Sequence, residues 1–309
     1  GSGDVKRTLV IVSDALRFEV ADELAQRLDR ATAGTAELKS MQGVFPSVTE
    51  FGMAALLPHN SIGLRESDMA VFLDGDVPVA STEEREAALR RRKPKGRCIQ
   101  SKTLLAAKRS ARKQLVGDAD VVYVYHNKID AVGENFNTEH MVFDACETAI
   151  EDLVALVKSS VNDLNISRVL ITADHGFLYT RNPLEERSKV SAADASARVV
   201  KQGRRYLVSD EPSVDDVLFV KMNMDDIDGG TYTGLAPREC VRIKKAGPGD
   251  NYVHGGLSLQ ECCVPVVEFR NRRSGAKGFE ERQRAGFKLL STSRRITSML
   301  FHVELFQTE

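Results

Sequence analysis

Two apolar runs far apart in the chain, 8-TLVIVSDALRFE-19 and 168-RVLITADHGFLY-179, each stop on an aspartate. Short apolar runs alternating with helix-patterned segments are the strands of a largely parallel sheet with helices on both faces. Ligands of such sheets sit beyond the carboxyl ends of the strands. Asp14, Asp174 and His175 reach that edge together if the two strands are neighbours. The chain must then gather two acids and an imidazole at one end of its sheet, and like charges so gathered require a cation among them.

The alternation extends over the first half. Thr8 to Ser13, Val121 to Tyr125 and Val169 to Ala173 read as strands, while Arg17 to Leu28, Thr49 to Leu57, Lys102 to Leu115 and Thr138 to Val157 read as helices. In the last of these Val142, Cys146, Ala149, Leu153 and Leu156 recur at helical spacing. After Arg181 the pattern changes to short β-like runs (Val199-Val200, Tyr206 to Val208, Val217 to Val220, Val264 to Phe269) between polar or Gly-bearing loops. These predict antiparallel additions or an inserted cap over 182–250, within one α/β domain spanning 4–275. Residues 276–309 read as a C-terminal extension or the start of a further domain. The opening Gly1-Ser2-Gly3 resembles a tag-cleavage remnant, so the expectation is an excised piece of a longer protein.

Hydrophobic content of 42% and charged content of 28% are those of an ordinary globular protein. No apolar run approaches the length needed to cross a bilayer, so no membrane partner is expected. Five cysteines, with no metal-type spacing and an adjacent Cys262-Cys263 pair badly placed to bridge, read as reduced thiols of a cytoplasmic protein. A net charge of −1 excludes a molecule attracted to nucleic acid as a whole. Arg90 to Lys113, however, holds eleven Lys or Arg and no acid. It is either a solvated face or a surface that meets phosphates.

A third strand-like run, 121-VVYVYHNKIDAVGE-134, adds Asp130 and Glu134, whose four-residue spacing lets both point inward from one helical turn. In 252-YVHGGLSLQE-261, His254 precedes two glycines that permit close backbone approach. Carboxylates and imidazoles at one edge are what divalent metals need. Taken singly, Asp14 could cap a helix, Asp174-His175 could be a capping acid beside a core histidine, and Asp130 and His254 could be turn residues. Coincidence of position carries the case. Thr49, in 44-VFPSVTEFGMAALLPH-59, stands where a helix start favours an anion. A metal-coordinated threonine there is an activated nucleophile facing phosphate; alternatively Ser47 or Thr49 is a plain N-cap.

With these motifs the sequence resembles the alkaline phosphatase superfamily and, within it, the PglZ domain. The resemblance is carried by VSDALRFE, PSVTEFGMAALLP, YHNKIDAVGE, ITADHGFLY and YVHGGLSLQE, in that order. YHNKIDAVGE and ITADHGFLY look most like PglZ proteins of type I BREX phage-defence systems. It implies an alkaline-phosphatase-like fold and a two-metal phosphoryl-transfer site. Asp14, Thr49, Asp174 and His175 would hold one ion and Asp130, Glu134 and His254 the other, about 4 Å apart. Thr49 would attack phosphorus to give a covalent phospho-enzyme, which water then releases. Arg17 could contact a phosphate oxygen or pair with Glu84 or another acid. The resemblance implies zinc in the first place; many superfamily members have histidine where this chain has Glu134, and that added oxygen ligand brings in manganese or magnesium as harder alternatives. The implied activity is a metal-dependent phosphodiesterase, a nuclease acting on DNA or another phosphodiester alongside other BREX proteins. A phosphomonoesterase or phosphomutase, or a non-catalytic scaffold subunit, are the alternatives.

Overall fold

A computed structural model of the chain describes residues 7–182, 184–195, 197–211, 217–247, 249–271, 286–289 and 304–308. The N-terminal Gly1-Ser2-Gly3 lies outside the described residues. Contacts divide the chain into two units, Gly1–Asn271 and Arg272–Glu309. In the second, strands Gly286–Leu289 and Leu305–Thr308 pair antiparallel.

The first unit is built on six strands: β1 (Thr8–Ser13), β2 (Thr35–Gln42), β3 (Gly96–Gln100), β4 (Val121–His126), β5 (Arg168–Thr172) and β6 (Cys263–Arg270). Their spatial order is β2-β6-β5-β1-β4-β3. β1 is central and pairs parallel with both β4 and β5, with Ser13 opposite His126 and Val12 opposite Thr172. β3 continues the parallel set beyond β4. β6 enters antiparallel between β5 and β2. The Val264–Phe269 run, expected as an antiparallel addition or part of an inserted cap, is an antiparallel strand of the main sheet itself. Its apolar alternation fits a sheet strand equally well in either place.

Side chains alternate across the sheet. Leu9, Ile11, Val122 and Val124 face a core shared with helices α1 (Phe18–Ala31) and α7 (Val142–Leu164). Val12, Tyr123 and Tyr125 face a second core that holds α2 (Thr49–Ala55) and α3 (Thr82–Arg92). The expected single helix from Lys102 to Leu115 is two, α4 (Ser101–Ala106) and α5 (Arg109–Val116). Arg112 fills the corner, its guanidinium donating to the Leu104 and Leu105 carbonyls that end α4. Helix α7 starts later than expected, after a 3-10 turn at Glu139–Met141, and runs on to a left-handed cap at Asn165.

Beyond Arg181, a four-stranded antiparallel sheet forms a cap, in the order Val199–Gln202, Leu207–Ser209, Thr233–Pro237, Phe219–Asn223. Leu207, Phe219, Leu235 and Ile243 make its own small core. Among the described residues no helix is long and apolar enough to cross a membrane.

Candidate metal centre

Parallel pairing in register brings the exits of β1, β4 and β5 to one edge. Asp14 follows β1, Asp174 and His175 follow β5, and Asp130 stands in α6 (Ile129–Gly133), just after β4. All four are buried.

His175 fixes the chemistry. Its Nδ1 lies 2.9 Å from the Gly176 carbonyl, which can only accept, so Nδ1 carries the proton and Nε2 is left to face the site. Nε2 stands 3.4 Å from Asp14 Oδ1, 3.5 Å from Asp174 Oδ2 and 3.1 Å from Thr49 Oγ1. Asp174 is oriented by the amides of His175 (3.0 Å) and Ala15 (3.3 Å), both donating to Oδ1. Asp174 Oδ2 and Asp14 Oδ1 are buried without a hydrogen-bond donor. Two orphaned carboxylate oxygens and an imidazole nitrogen converging on one point fit a divalent cation. Without a cation the site strains its protons. Burial, then the charge of Asp174, raises the Asp14 carboxyl well above its usual range. Burial alone would push His175 down, but Asp174, Asp14 and Asp130 hold it up, to about 10.

A second group adjoins the first: ligand atoms of Asp130, His175 and His254 lie within 4.8 Å of one another. His254 Nε2 is 3.9 Å from Asp130 Oδ1 and 3.2 Å from Glu134 Oε1. The rings of His175 and His254 stack at 4.2 Å. Glu134, with 59% of its side chain exposed, forms the outer edge, and its hydrogen bond to His254 holds its carboxyl below the usual range. The resemblance assigns His175 to one ion, whereas here it belongs to both groups.

Local sequence makes these approaches possible. Gly52 in α2 sits against the Asp174 backbone so closely that a Cβ would collide with it. Gly133 does the same beneath the Tyr252 ring. The segment leading into α2 is tied to the His254 loop, because Ser47 Oγ donates to the Gly256 carbonyl at 2.8 Å. That loop is anchored by Glu261, which is fully buried and accepts from the Gly256 amide (2.9 Å), Ser258 Oγ (2.8 Å) and the buried Arg205 of the cap (3.0 Å).

The site opens into a cleft of about 740 Å³. Asp14, Thr49, Asp130, Glu134 and His254 line it together with Arg204, Tyr206 and Lys245. Arg17, expected as a substrate contact, does not line it: its guanidinium pairs with Glu19 and lies over the Phe177 ring. Glu84, its suggested alternative partner, instead closes a capping box by accepting from the Ser81 amide. The basic run is displaced too. Arg90 to Lys95 precede β3 and so lie at the amino edge of the sheet, a strand of about 3.3 Å per residue away from the site edge. Arg92 pairs with Asp74 (2.8 Å), Arg90 and Arg97 with Glu86, and Arg112 with Asp163 (2.6 Å). Residues 90–113 contribute nothing to the cleft lining.

Sequence reasoning passed over three residues of the site. The buried Tyr252 donates its hydroxyl to Asp130 Oδ1 at 3.0 Å; standing two residues before His254 on an extended segment, it shares that residue's face. Asn127, at the end of β4, accepts from the Ala131 amide through Oδ1 (2.9 Å), which leaves its amide nitrogen for the cleft it lines. Lys245 comes from a cap loop, and nothing in the sequence relates that loop to the strand ends.

The family described as BREX system PglZ alkaline phosphatase-like domain matches residues 1–269. The chain is 38% identical over 305 residues to an alkaline phosphatase-like protein PglZ of Bacillus cereus (strain H3081.97), covering 98% of this chain and 35% of the relative. It is 34% identical over 307 residues to an alkaline phosphatase-like protein BrxZ of Escherichia coli O9:H4 (strain HS), with the same coverages. The chain thus spans about a third of the length of these curated relatives. Among solved structures it is similar to murine ectonucleotide pyrophosphatase/phosphodiesterase 5, solved as an inactive threonine-to-alanine variant in complex with AMP. The TM-score is 0.57 at 8% identity, over 86% of this chain and 88% of that one. It is also similar to phosphonoacetate hydrolase from Sinorhizobium meliloti 1021, with a TM-score of 0.51 at 12% identity, over 85% and 89% of the two chains. At such identities the likeness is one of fold.

Proposed function

The chain belongs to the PglZ family of alkaline phosphatase-like domains of BREX systems, and on that premise we propose that it is a metal-dependent phosphodiesterase with Thr49 as its nucleophile. The observation that carries this reading is Thr49 Oγ1 on the cleft wall, 3.1 Å from the His175 nitrogen around which the orphaned carboxylates gather. Asp14, Thr49, Asp174 and His175 would hold one divalent ion and Asp130, Glu134 and His254 a second, zinc in the first place. Bound there, the ions would lower the pKa of the threonine hydroxyl and offset charge on the phosphoryl oxygens.

The chain's own residues supply the remainder. Thr49 Oγ1 gives up its proton to solvent and forms the new bond to phosphorus as the ester oxygen of the leaving alcohol departs with its electron pair and takes up a proton, leaving phosphorus as a diester of Thr49 and the retained alcohol. Water then cleaves that ester and restores the hydroxyl. The Gly176 carbonyl holds the His175 ring in one tautomer throughout. The amides of Ala15 and His175 keep Asp174 oriented. That the murine neighbour was solved as an inactive threonine-to-alanine variant supports a threonine in this role. The proposed natural substrate is a polynucleotide backbone, cleaved in BREX antiphage defence together with other BREX proteins.

The test is hydrolysis of bis-p-nitrophenyl phosphate and p-nitrophenyl phosphate with zinc, manganese or EDTA. Diester cleavage abolished by EDTA and by Thr49→Ala is expected. Preference for the monoester would reassign the site to a phosphomonoesterase, and bound metal without turnover would leave a scaffold.

A further inference from the structure

Arg204 ties together the part of the cleft lining that comes from beyond Arg181. Arg204 donates to the Lys245 carbonyl (3.0 Å) and the Gly247 carbonyl (2.7 Å) and pairs with Asp250 (3.0 Å). Asp250 is also gripped by Lys189 at 2.9 Å. These bonds strap the loop around Lys245 onto the cap and commit Arg204 to structure. Lys245 differs. It is exposed, it lines the cleft, and among the described residues its ammonium makes no ion pair, although its charge reaches Glu134 and helps hold that carboxyl down. The other cleft-lining charges are chiefly acidic: Asp14, Glu50, Asp130 and Glu134.

Cations held by the acids would neutralise the phosphate under attack and nothing beyond it. A second phosphate on the same substrate would meet those acids unscreened, except at Lys245. The cleft volume is that of a nucleotide-sized ligand, about 300–1,000 Å³, so a substrate longer than a single phosphate fits. We propose that Lys245 binds a second phosphate of the substrate, flanking the one that Thr49 attacks. The inference rests on the phosphodiesterase reading and narrows its substrate class to esters bearing a neighbouring phosphate. A polynucleotide and a nucleoside polyphosphate share that chemistry.

Equilibrium binding to the zinc-loaded Thr49→Ala protein decides it without turnover. The probes are dTpdT against pdTpdT, and AMP against ADP. The added phosphate should tighten binding about fivefold or more. That gain should vanish in Thr49→Ala/Lys245→Ala and survive in Thr49→Ala/Lys245→Arg. A gain confined to pdTpdT assigns the polynucleotide; one confined to ADP assigns the polyphosphate. A gain that persists without the lysine, or no gain at all, overturns the proposal. Loss of the hydrolase reading would show separately, as absent cleavage by the wild-type protein. Lys245 is exposed, so its replacement leaves the fold intact, and a thermal melt verifies this.

Discussion

His175 Nε2 stands 3.4 Å from Asp14 Oδ1, and the two residues come from the ends of strands that are neighbours only in the folded sheet. Their contact puts a buried acid beside an imidazole that it helps hold protonated, yet burial and then Asp174 still raise the Asp14 carboxyl. Asp14→Asn should therefore act with opposite sign in two conditions. In EDTA it removes a carboxyl that burial, and then the charge of Asp174, disfavour, and should melt at or above the wild-type temperature. In zinc it should lose the metal-dependent gain in melting temperature, which differential scanning fluorimetry reads directly.

Metal removal is expected to destabilise the wild-type protein. An ion at a hundred times its dissociation constant adds about 2.7 kcal/mol, a shift of several degrees for a domain of this size. Binding should also release protons, because His175 sits at about 10 without metal and must surrender its Nε2 proton to become a ligand. Apparent affinity should therefore rise with pH between 6 and 9. Proton release on zinc addition, followed in weakly buffered solution, checks the sign.

Thr49→Ala should abolish phosphodiester turnover by about a thousandfold or more while leaving bound metal near the wild-type level. Parallel metal analysis and initial rates separate those two effects. Loss of metal together with rate would make Thr49 a structural ligand only.

Tyr252→Phe removes the hydroxyl that donates to Asp130 at 3.0 Å. Affinity for the ion assigned to Asp130, Glu134 and His254 should fall about tenfold or more, with the other ion unaffected. Competition with a chromophoric chelator resolves the two constants.

Acid stability has a contribution from residues outside the candidate metal centre. Asp74 is pulled down to about 2 by Arg92 first and then by the Asn60 and Ser61 amides. A depressed carboxyl contributes stability above its unfolded value of about 3.9, and that stability is lost as the pH falls through about 2. The urea midpoints of Asp74→Asn and wild type should thus differ by a constant amount from pH 5 to 7. The gap should narrow below pH 4.

What could be read in the sequence was whatever local pattern encodes. The β1 and β5 strands announce themselves by apolar runs, and strand ends carry Asp14, Asp174 and His175 to a common edge by a general rule of parallel sheets. Asp130 and His254 join them in the fold, with ligand atoms close enough to share an ion. Non-local pairing was illegible: β6 reads alike inside or outside the main sheet. Long side chains left two readings open for a related reason. Arg17 is near Asp14 in sequence, yet its guanidinium turns to Glu19 and Phe177. The cations between Arg90 and Lys113 look unopposed because the acids that meet them, Asp74, Glu86 and Asp163, lie outside the run. Lys245 carries no local signature at all, since its position depends on how Arg204 straps one cap loop to another.

The grip of Arg205 on Glu261 makes the cap impossible to transplant as a module. The same carboxylate that takes the cap's guanidinium also takes the amide of Gly256, two residues past His254. A chimera that exchanges the cap for one lacking that arginine would leave a buried anion unanswered, and the loop would have to rearrange to hydrate it. Changes engineered through the cap are therefore expected to register at His254 and at the ion it is proposed to hold, even when no altered side chain touches it.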